Sequence, residues 1–169
     1  KVEMLEQGTG QMVSTDLQGK YMNDQIKPGS SVHLKPDYAL GNWTDGLSTQ
    51  DVLYLQKHIL GISTFSKPEQ WIAADLDKDG FVTTRDIVWL RKLILGKVEE
   101  VPTNKSWRFL DEEYIFNVVD FPLGEKFSEE FETDHLMHDK VVNFKSIKVG
   151  DVSGSSGFQE KVAGARLRY

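Results

Sequence analysis

The segment Asp75–Asp86 reads DLDKDGFVTTRD, and it decides what kind of unit surrounds it. Aspartates occupy positions 1, 3, 5 and 12 of this stretch, and Gly80 occupies position 6. Calcium is a hard cation that takes roughly six to eight oxygen ligands, and carboxylates at these alternating positions supply them. A glycine at position 6 allows the sharp turn between the third and fourth ligands. The spacing therefore predicts a calcium loop of the EF-hand type.

The same spacing predicts the individual ligands of the loop. We expect calcium to be held by Asp75, Asp77, Asp79, the carbonyl oxygen of Phe81, a water near Thr83, and a bidentate Asp86. The alternative interpretation is a solvated acidic turn, because the last ligand is aspartate rather than the usual glutamate. The next residues, Ile87–Leu95, favour the calcium loop, since they continue it as an apolar-rich helix that ends at Gly96.

A copy of this loop and helix lies upstream. When Asp51 is aligned with Asp86 without a gap, the segments 51–61 and 86–96 share Leu, Lys, Ile, Leu and Gly at corresponding positions. The spacing between the copies is 35 residues, which indicates an internal duplication. The sequence thus predicts two loop-helix units, with a further short helix between them that begins near Pro68.

The first loop has lost its leading acids. The gapless alignment places Leu40 at position 1, and a one-residue gap that superposes Asp45-Gly46 on Asp79-Gly80 still leaves the first two acids missing. A carboxylate from elsewhere in the chain would have to fill the gap. The candidate ligands of a possible second metal site are Asn42, Thr44, Asp45, Asp51 and, as the outside carboxylate, Asp151.

Two loop-helix units that each end in Ile-Leu-Gly, with no helix leading into the calcium loop, resemble the duplicated repeat of a type I dockerin. The resemblance covers about residues 42–96. In dockerin-like variants of large secreted bacterial surface proteins, a Trp-Arg-Phe segment and a Gly-Asp-Val-Asn-Gly-like ending follow, as Trp107–Phe109 and Gly150–Gly154 do here. The resemblance implies bound Ca²⁺, a cohesin-like or neighbouring β domain as partner, no catalytic activity, and an extracellular, secreted or cell-surface location.

The resemblance also implies a partner-binding surface. Cohesin-binding dockerins face their partner with loop positions 10 and 11 and helix positions 17 and 18 of each repeat. Those positions hold Thr49, Gln50, Gln56 and Lys57 in the first repeat, and Thr84, Arg85, Arg91 and Lys92 in the second. The alternative is the solvated face of two amphipathic helices.

The flanking segments are predicted to be β-structure, so the expected fold class is α+β. Thr15–Tyr21 and the Pro28-Gly29 turn resemble the last strands of a carboxypeptidase-regulatory or collagen-binding-B-type sandwich, in which the first motif is a hairpin. Forty residues are too few for a sandwich, so it is either truncated or completed by strand-like segments such as 113–116 and 141–149. The expected division is 1–40 sandwich strands, 41–98 calcium module, 99–153 β-rich extension and 154–169 linker.

Composition narrows the functional classes. A net charge of −6 argues against nucleic-acid binding, which needs a basic face. The chain has no cysteine, which removes disulfides and thiolate chemistry, and no run of apolar residues long enough to span a membrane. A calmodulin-like sensor is disfavoured because paired helix-loop-helix hands and a Met-rich groove are missing.

Weaker constellations suggest other functions. His135 and His138 could share a helical face for zinc, although surface histidines are the commoner case. The acidic pairs near 111–113 and 129–130 are compatible with an accessory fragment of a carbohydrate-active enzyme, which needs two carboxylates. Trp43, Trp89 and Trp107 could stack on sugars, although core packing is the commoner role, and polysaccharide contact through a parent protein stays open. We expect a non-catalytic calcium module that serves in assembly or as a rigid joint.

Overall fold

The computed structural model describes residues 3–6, 11–16, 19–23, 26–38, 41–156 and 162–167. These residues form eight strands, three α-helices and one short 3₁₀ turn at Pro122–Gly124. The strands are β1 Glu3–Glu6, β2 Gln11–Ser14, β3 Lys20–Asn23, β4 Ser30–Asp37, β5 Trp107–Asp111, β6 Phe131–Leu136, β7 Lys140–Lys148 and β8 Val162–Leu167. The helices are α1 Thr49–Ile59, α2 Pro68–Ala74 and α3 Thr84–Ile94. The fold is therefore mixed α and β.

The strands make two four-stranded sheets that draw on both ends of the chain. Sheet 1 has the order β2-β1-β4-β6 and is antiparallel in each pairing. Sheet 2 has the order β3-β8-β7-β5, with β3 and β8 parallel and the other pairs antiparallel. Strands that precede the helices thus pair with strands that follow them, and the helical segment is inserted between two halves of one β-structure.

The sheets bury a shared apolar core. β4 alternates inward and outward residues, and its inward Val32 and Leu34 meet Phe109 of β5 and Phe144 of β7. This period-2 pattern is what a strand with one buried face requires. The first four strands therefore share their two sheets, which together form a β-sandwich, with later segments of the chain.

The helical unit shows the duplication in its local structure. Ser48 caps α1 and Thr83 caps α3, each with a capping box whose third helical residue is an aspartate, Asp51 or Asp86. Such boxes satisfy backbone N–H groups that the first helical turn leaves without a partner. The helices pack on each other and on loop residues through Val52, Leu55, Ile87, Leu90, Leu93, Val101, Val149 and Val152.

The short helix α2 connects the helical unit to sheet 2. It begins at Pro68 as predicted, and its Ile72 packs in one cluster with Leu110 and Ile147 of the sheet. Sheet 2 is therefore buried on both faces near β5 and β7. The predicted calcium loop therefore follows directly from a helix that packs on sheet 2.

Several expectations need correction. Residues 113–116 form a turn and an irregular stretch instead of a strand. The segment after Thr15 turns between strands of different sheets, so it is not a simple hairpin, and Leu17 and Gln18 lie outside the described residues. Within the expected linker 154–169, residues 162–167 form β8, because they pair with β3 and β7. The other domain boundaries, and the likeness to a collagen-binding-B-type sandwich, stay predictions.

None of the described helices is long and apolar enough to cross a membrane.

Candidate metal centre

Three predicted ligands meet at the junction between α2 and α3. Oxygen atoms of Asp75, Asp77 and Asp86 all lie within 4.8 Å of one another, and all three side chains are buried. Among the described residues this is the one group of three or more acidic, histidine or cysteine side chains with that spacing. The cluster forms because the end of α2 delivers Asp75 while the capping box of α3 delivers Asp86.

Backbone hydrogen bonds hold the loop in a ring around these carboxylates. Oδ1 of Asp75 accepts the N–H of Asp79 at 3.0 Å, and Oδ2 accepts the N–H of Gly80 at 3.1 Å. Oδ1 of Asp86 accepts the N–H of Leu76 at 2.8 Å across the loop. Lys78 and Gly80 adopt positive φ angles of 58° and 86°, which lets the chain curl so tightly.

One oxygen in this ring has no donor. Oδ1 of Asp77 lacks a hydrogen-bond partner, and it is buried within a side chain that is only 8 % exposed. A buried acceptor without a partner costs free energy, so such an atom needs an explanation. Hard cations prefer carboxylate oxygens, and Ca²⁺ would satisfy this atom and draw the three negative charges together. The residues present therefore fit calcium.

The electrostatics of the metal-free cluster agree with this fit. Burial raises the pKa of Asp86 to about 6, and the charges of Asp77 and Asp75 act in the same direction against the opposing N–H bonds from Thr83 and Leu76. Burial likewise raises the pKa of Asp75. Carboxylates are pushed toward the protonated form when they are buried beside like charges. A bound cation of charge +2 would remove this conflict.

The remaining predicted ligands take other positions. Asp79 lies outside the group of three. Its Oδ1 accepts the N–H of Phe81 at 3.0 Å, and its Oδ2 accepts a hydrogen bond from Nη1 of Arg85 at 3.1 Å. Thr83 serves as the N-cap of α3, and its hydroxyl oxygen accepts the N–H of Arg85. The side chain of Phe81 is exposed beside Phe121, and its role as a carbonyl ligand stays a prediction.

In the first loop, Asp51 repeats the geometry of Asp86. Its Oδ2 accepts the N–H of Ser48 at 2.8 Å, just as Oδ2 of Asp86 accepts that of Thr83 at 2.8 Å. Its Oδ1 accepts the N–H of Ser153 at 2.9 Å, from a segment about one hundred residues later in the chain. A distant stretch of chain thus occupies the side of Asp51 that the local loop occupies at Asp86.

This distant stretch, Asp151–Ser156, folds like the first half of the second loop. Oδ1 of Asp151 accepts the N–H four residues on and Oδ2 the N–H five residues on, as in Asp75. The residue three positions on has positive φ in both segments, 70° at Gly154 and 58° at Lys78. We call Asp151–Ser156 the closing segment. In the gapless alignment, Leu40 stands at the loop position of Asp75, and it lies outside the described residues. The closing segment has the hydrogen-bond geometry of Asp75 in its place.

The first loop nevertheless differs in its charges. Both carboxylate oxygens of Asp51 and of Asp151 accept hydrogen bonds, while Asn42, Thr44 and Asp45 lie exposed on a turn. Lys148 is fully buried nearby, and its Nζ donates to the carbonyl oxygens of Asn42 and Trp43 at 2.9 and 3.0 Å. Burial lowers the pKa of Lys148 to about 8 against the opposing charges of Asp45 and Asp151. The second metal site stays a prediction.

Sequence reasoning missed the groups that attach the calcium loop to the sandwich. The amide of Asn104 donates to the carbonyl oxygens of Asp75 and Leu76 at 3.1 and 3.0 Å. Glu129 accepts Lys78 of the loop and the buried Arg108 of β5. Burial disfavours the charge on Glu129, yet these two cations and their hydrogen bonds hold its pKa below the usual value. No local sequence motif predicts such contacts, because each of them joins residues that are far apart in sequence.

The predicted partner-binding residues differ between the repeats. Thr84, Arg85, Arg91 and Lys92 are all exposed on α3, whereas on α1 Thr49 and Gln50 are exposed and Gln56 and Lys57 half-buried. Lys92 places its Nζ 4.9 Å from the centre of the Trp89 ring. The structure thus leaves the basic residues of the second repeat accessible.

The weaker constellations find structural explanations. His135 lies at the end of β6 and His138 beyond it, so they do not share a helical face. Glu129 and Glu130 are each engaged by basic side chains. Trp107 belongs to the sandwich core, and Trp43 and Trp89 pack partly buried against the helical core.

Comparison with known families agrees with this geometry. Residues 47–95 match the model of the dockerin type I domain, a span that begins after Asn42, Thr44 and Asp45 and includes the three clustered carboxylates. Searches of curated proteins and of solved structures give no significant match. Type I dockerins are non-catalytic modules that bind Ca²⁺ through EF-hand-like loops and mediate assembly by binding cohesin domains. The segment 47–95 is accordingly similar to a type I dockerin, with calcium as its cofactor.

Proposed function

We propose that this chain is a calcium-dependent assembly module, in which a dockerin-like segment mounted on a β-sandwich binds a cohesin-like domain of an extracellular protein. The observation that carries the proposal is the buried, partnerless Oδ1 of Asp77 beside Asp75 and Asp86. A carboxylate cluster of this kind, inside a segment that matches the dockerin type I domain, has an explanation in bound calcium.

The proposed calcium site uses the second loop. Its ligands are Asp75, Asp77, Asp79, the carbonyl oxygen of Phe81, a water near Thr83, and Asp86. Calcium supplies the positive charge that lets several buried carboxylates stay ionised together. The chain's own residues supply the shape of the site: the capping box holds Asp86 at the start of α3, and the N–H groups of Asp79 and Gly80 hold Asp75.

The sandwich makes the site part of a rigid joint. Lys78 of the loop bonds Glu129, Lys145 of β7 bonds Glu69 of α2, and the N–H of Gly150 bonds the carbonyl oxygen of Ala73 at 2.8 Å. These contacts tie the loop and α2 to sheet 2. Calcium binding would therefore stabilise the orientation of the helices relative to the sheets, and not the loop alone.

The proposed docking face is the outer side of α1 and α3. On α3 the basic Arg91 and Lys92 are exposed, and the neighbouring apolar Val88 and Leu95 are 50 % and 69 % exposed. Basic residues around exposed apolar ones suit a partner with an acidic rim and an apolar centre. On a chain of net charge −6, such a patch also favours salt-sensitive association.

The metal assignment is tested by calorimetry. Replacing Asp75→Ala together with Asp86→Ala removes two proposed ligands, so calcium uptake at the second loop should vanish. The matched control is Asp120→Ala, which removes an exposed carboxylate far from the cluster in sequence and should leave the isotherm unchanged. If the double variant takes up calcium as the parent chain does, the second loop is not the site.

The docking face is tested separately with a purified cohesin domain. Arg91→Glu with Lys92→Glu should abolish capture while calcium binding and the melting temperature stay normal. The control pair Lys97→Glu with Lys126→Glu reverses the same charge at other exposed positions. Capture that survives the first reversal would leave the calcium-stabilised joint as the function of this segment.

A further inference from the structure

Arg85 is the basic side chain that contacts the calcium loop from α3. It occupies position 11 of the loop, one residue before the ligand Asp86. Its Nη1 lies 3.3 Å from Oδ2 of Asp77 and 3.1 Å from Oδ2 of Asp79. The other cation of the loop, Lys78, turns away to Glu129. Arg85 therefore supplies positive charge to two carboxylates that the calcium site also needs.

The two carboxylates are not equally committed to Arg85. Asp77 keeps Oδ1 without a partner, so it can bind a metal through that atom while Oδ2 holds the guanidinium. Asp79 accepts hydrogen bonds through both oxygens, and the partner of Oδ2 is the cationic guanidinium of Arg85, while Oδ1 accepts the N–H of Phe81. A metal that recruits Oδ2 of Asp79 must therefore compete with the guanidinium.

Charge repulsion strengthens this competition. A guanidinium that contacts two ligands of a cation of charge +2 lies within a few ångströms of it, where like charges repel appreciably. The Arg85 side chain is 65 % exposed, so its bonds to the loop carboxylates are partly screened and its release into water costs little. Calcium therefore displaces the guanidinium from the carboxylates, but the site binds calcium more weakly than it would without Arg85.

We propose that Arg85 is a built-in competitor for the calcium site, which lowers its affinity, and that calcium uptake releases the guanidinium from Asp79. The proposal rests on the calcium site proposed above. Released Arg85 lies four and seven residues before Trp89 and Lys92, on the same stripe of α3. Calcium thereby adds a free positive charge to the exposed side of the second repeat. The first repeat has Gln50 at the equivalent position and lacks this device.

The test compares calcium affinity in Arg85→Gln and Arg91→Gln. Both changes remove one exposed positive charge from α3 and keep a good helix former, but only Arg85 contacts the loop carboxylates. Arg85→Gln should bind calcium about three- to fivefold more tightly, the most that an exposed ion pair of this kind contributes, and high salt should reduce the effect. Arg91→Gln should change affinity by less than about twofold. Arg85→Lys keeps the charge and should remain close to the parent chain.

A second measurement follows the guanidinium directly. In a chain with ¹⁵N-labelled arginine, the Arg85 side-chain signal should change with calcium in a one-to-one titration, and that of Arg91 should not. Calcium affinity of Arg85→Gln equal to or weaker than that of the parent would overturn the competition. An Arg85 signal that ignores calcium would overturn the release.

The failure of this inference differs from failure of the proposed function. If the parent chain binds no calcium, the proposed site is wrong and the inference falls with it. If the parent binds calcium and loses it in the Asp75 and Asp86 double variant, while Arg85→Gln gains no affinity, only the role of Arg85 is refuted.

Discussion

The two loop-helix units solve the same problem with different chain connections. In the second unit, one continuous loop from Asp75 to Asp86 surrounds the carboxylate cluster. In the first, Asp51 meets the closing segment Asp151–Ser156, which adopts the same N–H to carboxylate geometry although it enters from the far end of the chain. Both units start their helix with the same capping box.

The difference lies in how negative charge is balanced. The second loop leaves an oxygen of Asp77 without a donor, and burial raises the pKa of Asp86, so a bound cation would relieve both. The first loop gives each oxygen of Asp51 and Asp151 a hydrogen bond and has the buried Lys148 nearby. The comparison teaches that a duplicated sequence can preserve helix capping while its two copies balance their buried negative charge in different ways.

The largest expected effect is that of calcium removal on α3. Saturating calcium at about 100 times its Kd adds about 2.7 kcal/mol to the free energy of unfolding. Chelation should therefore lower the melting temperature, and amide exchange should accelerate more in Ile87–Ile94 than in Val52–Ile59. Equal acceleration in both helices would remove the proposed difference between the units, and no change in metal-free protein would refute the structural role of calcium.

Single substitutions in the two loops should destabilise the protein in one order without calcium and in the opposite order with it. Asp51→Ala removes the acceptor of three hydrogen bonds, from Ser48 and Ser153, and should cost about 1–3 kcal/mol with or without calcium. Asp86→Ala should cost less than Asp51→Ala in chelator, because its buried charge is repelled by Asp75 and Asp77, and more in calcium, because a ligand is lost. Denaturant melts of both variants in both buffers would show the crossover. Its absence would mean that both units rely on metal equally.

A smaller effect tests whether the closing segment is seated on the first loop. An added Cβ at Gly46 would lie 2.5 Å from Cβ of Ser156, and Gly46 has φ +75°. Gly61, with φ +68°, has open space at that point. Gly61→Ala should therefore cost only the backbone strain of about 1–2 kcal/mol, and Gly46→Ala should cost more. Adding Ser156→Gly to Gly46→Ala should recover the excess. Equal costs for the two alanines would place the closing segment elsewhere.

The smallest effect concerns the connection between the units. The His58 ring stacks on Phe65 with 3.8 Å between ring centres, and its Nδ1 accepts the N–H of Phe65. Burial lowers the pKa of His58 below its ordinary value of 6.5, so the unfolded chain takes up this proton first as the pH falls. The contribution of His58 to stability is present above pH 6.5 and is lost below it.

When the pH is lowered from 7 to 5, the melting temperature of the parent chain should consequently fall further than that of the His58→Phe variant. His135→Asn, which removes an exposed histidine of β6, is the control and should follow the parent. Identical losses in all three proteins would mean that the ring of His58 contributes no pH dependence.

Much of the candidate site could be predicted from local sequence. Asp75, Asp77 and Asp86 stand at ligand spacing, Gly96 follows the helix after the loop, and Pro68 begins α2. Each of these features depends on residues within about twelve positions of one another, so the amino-acid sequence alone is enough to predict it. The packing of Ile72 on sheet 2 could not be predicted in this way, because an apolar residue at a helical spacing does not specify which surface will cover it.

By itself, the sequence determined the duplicated loop-helix unit, its helix starts and ends, and its calcium chemistry, because backbone capping and ligand spacing are local. Tertiary structure alone decided that strands within residues 3–37 and 107–167 share two sheets, that the closing segment completes the geometry around Asp51, and that Glu129 joins the calcium loop to Arg108. Those contacts join residues separated by tens to more than a hundred positions. Their partners are chosen by burial of shared apolar faces and by the pairing of charges and hydrogen bonds in three dimensions, and no spacing rule within one segment contains that choice.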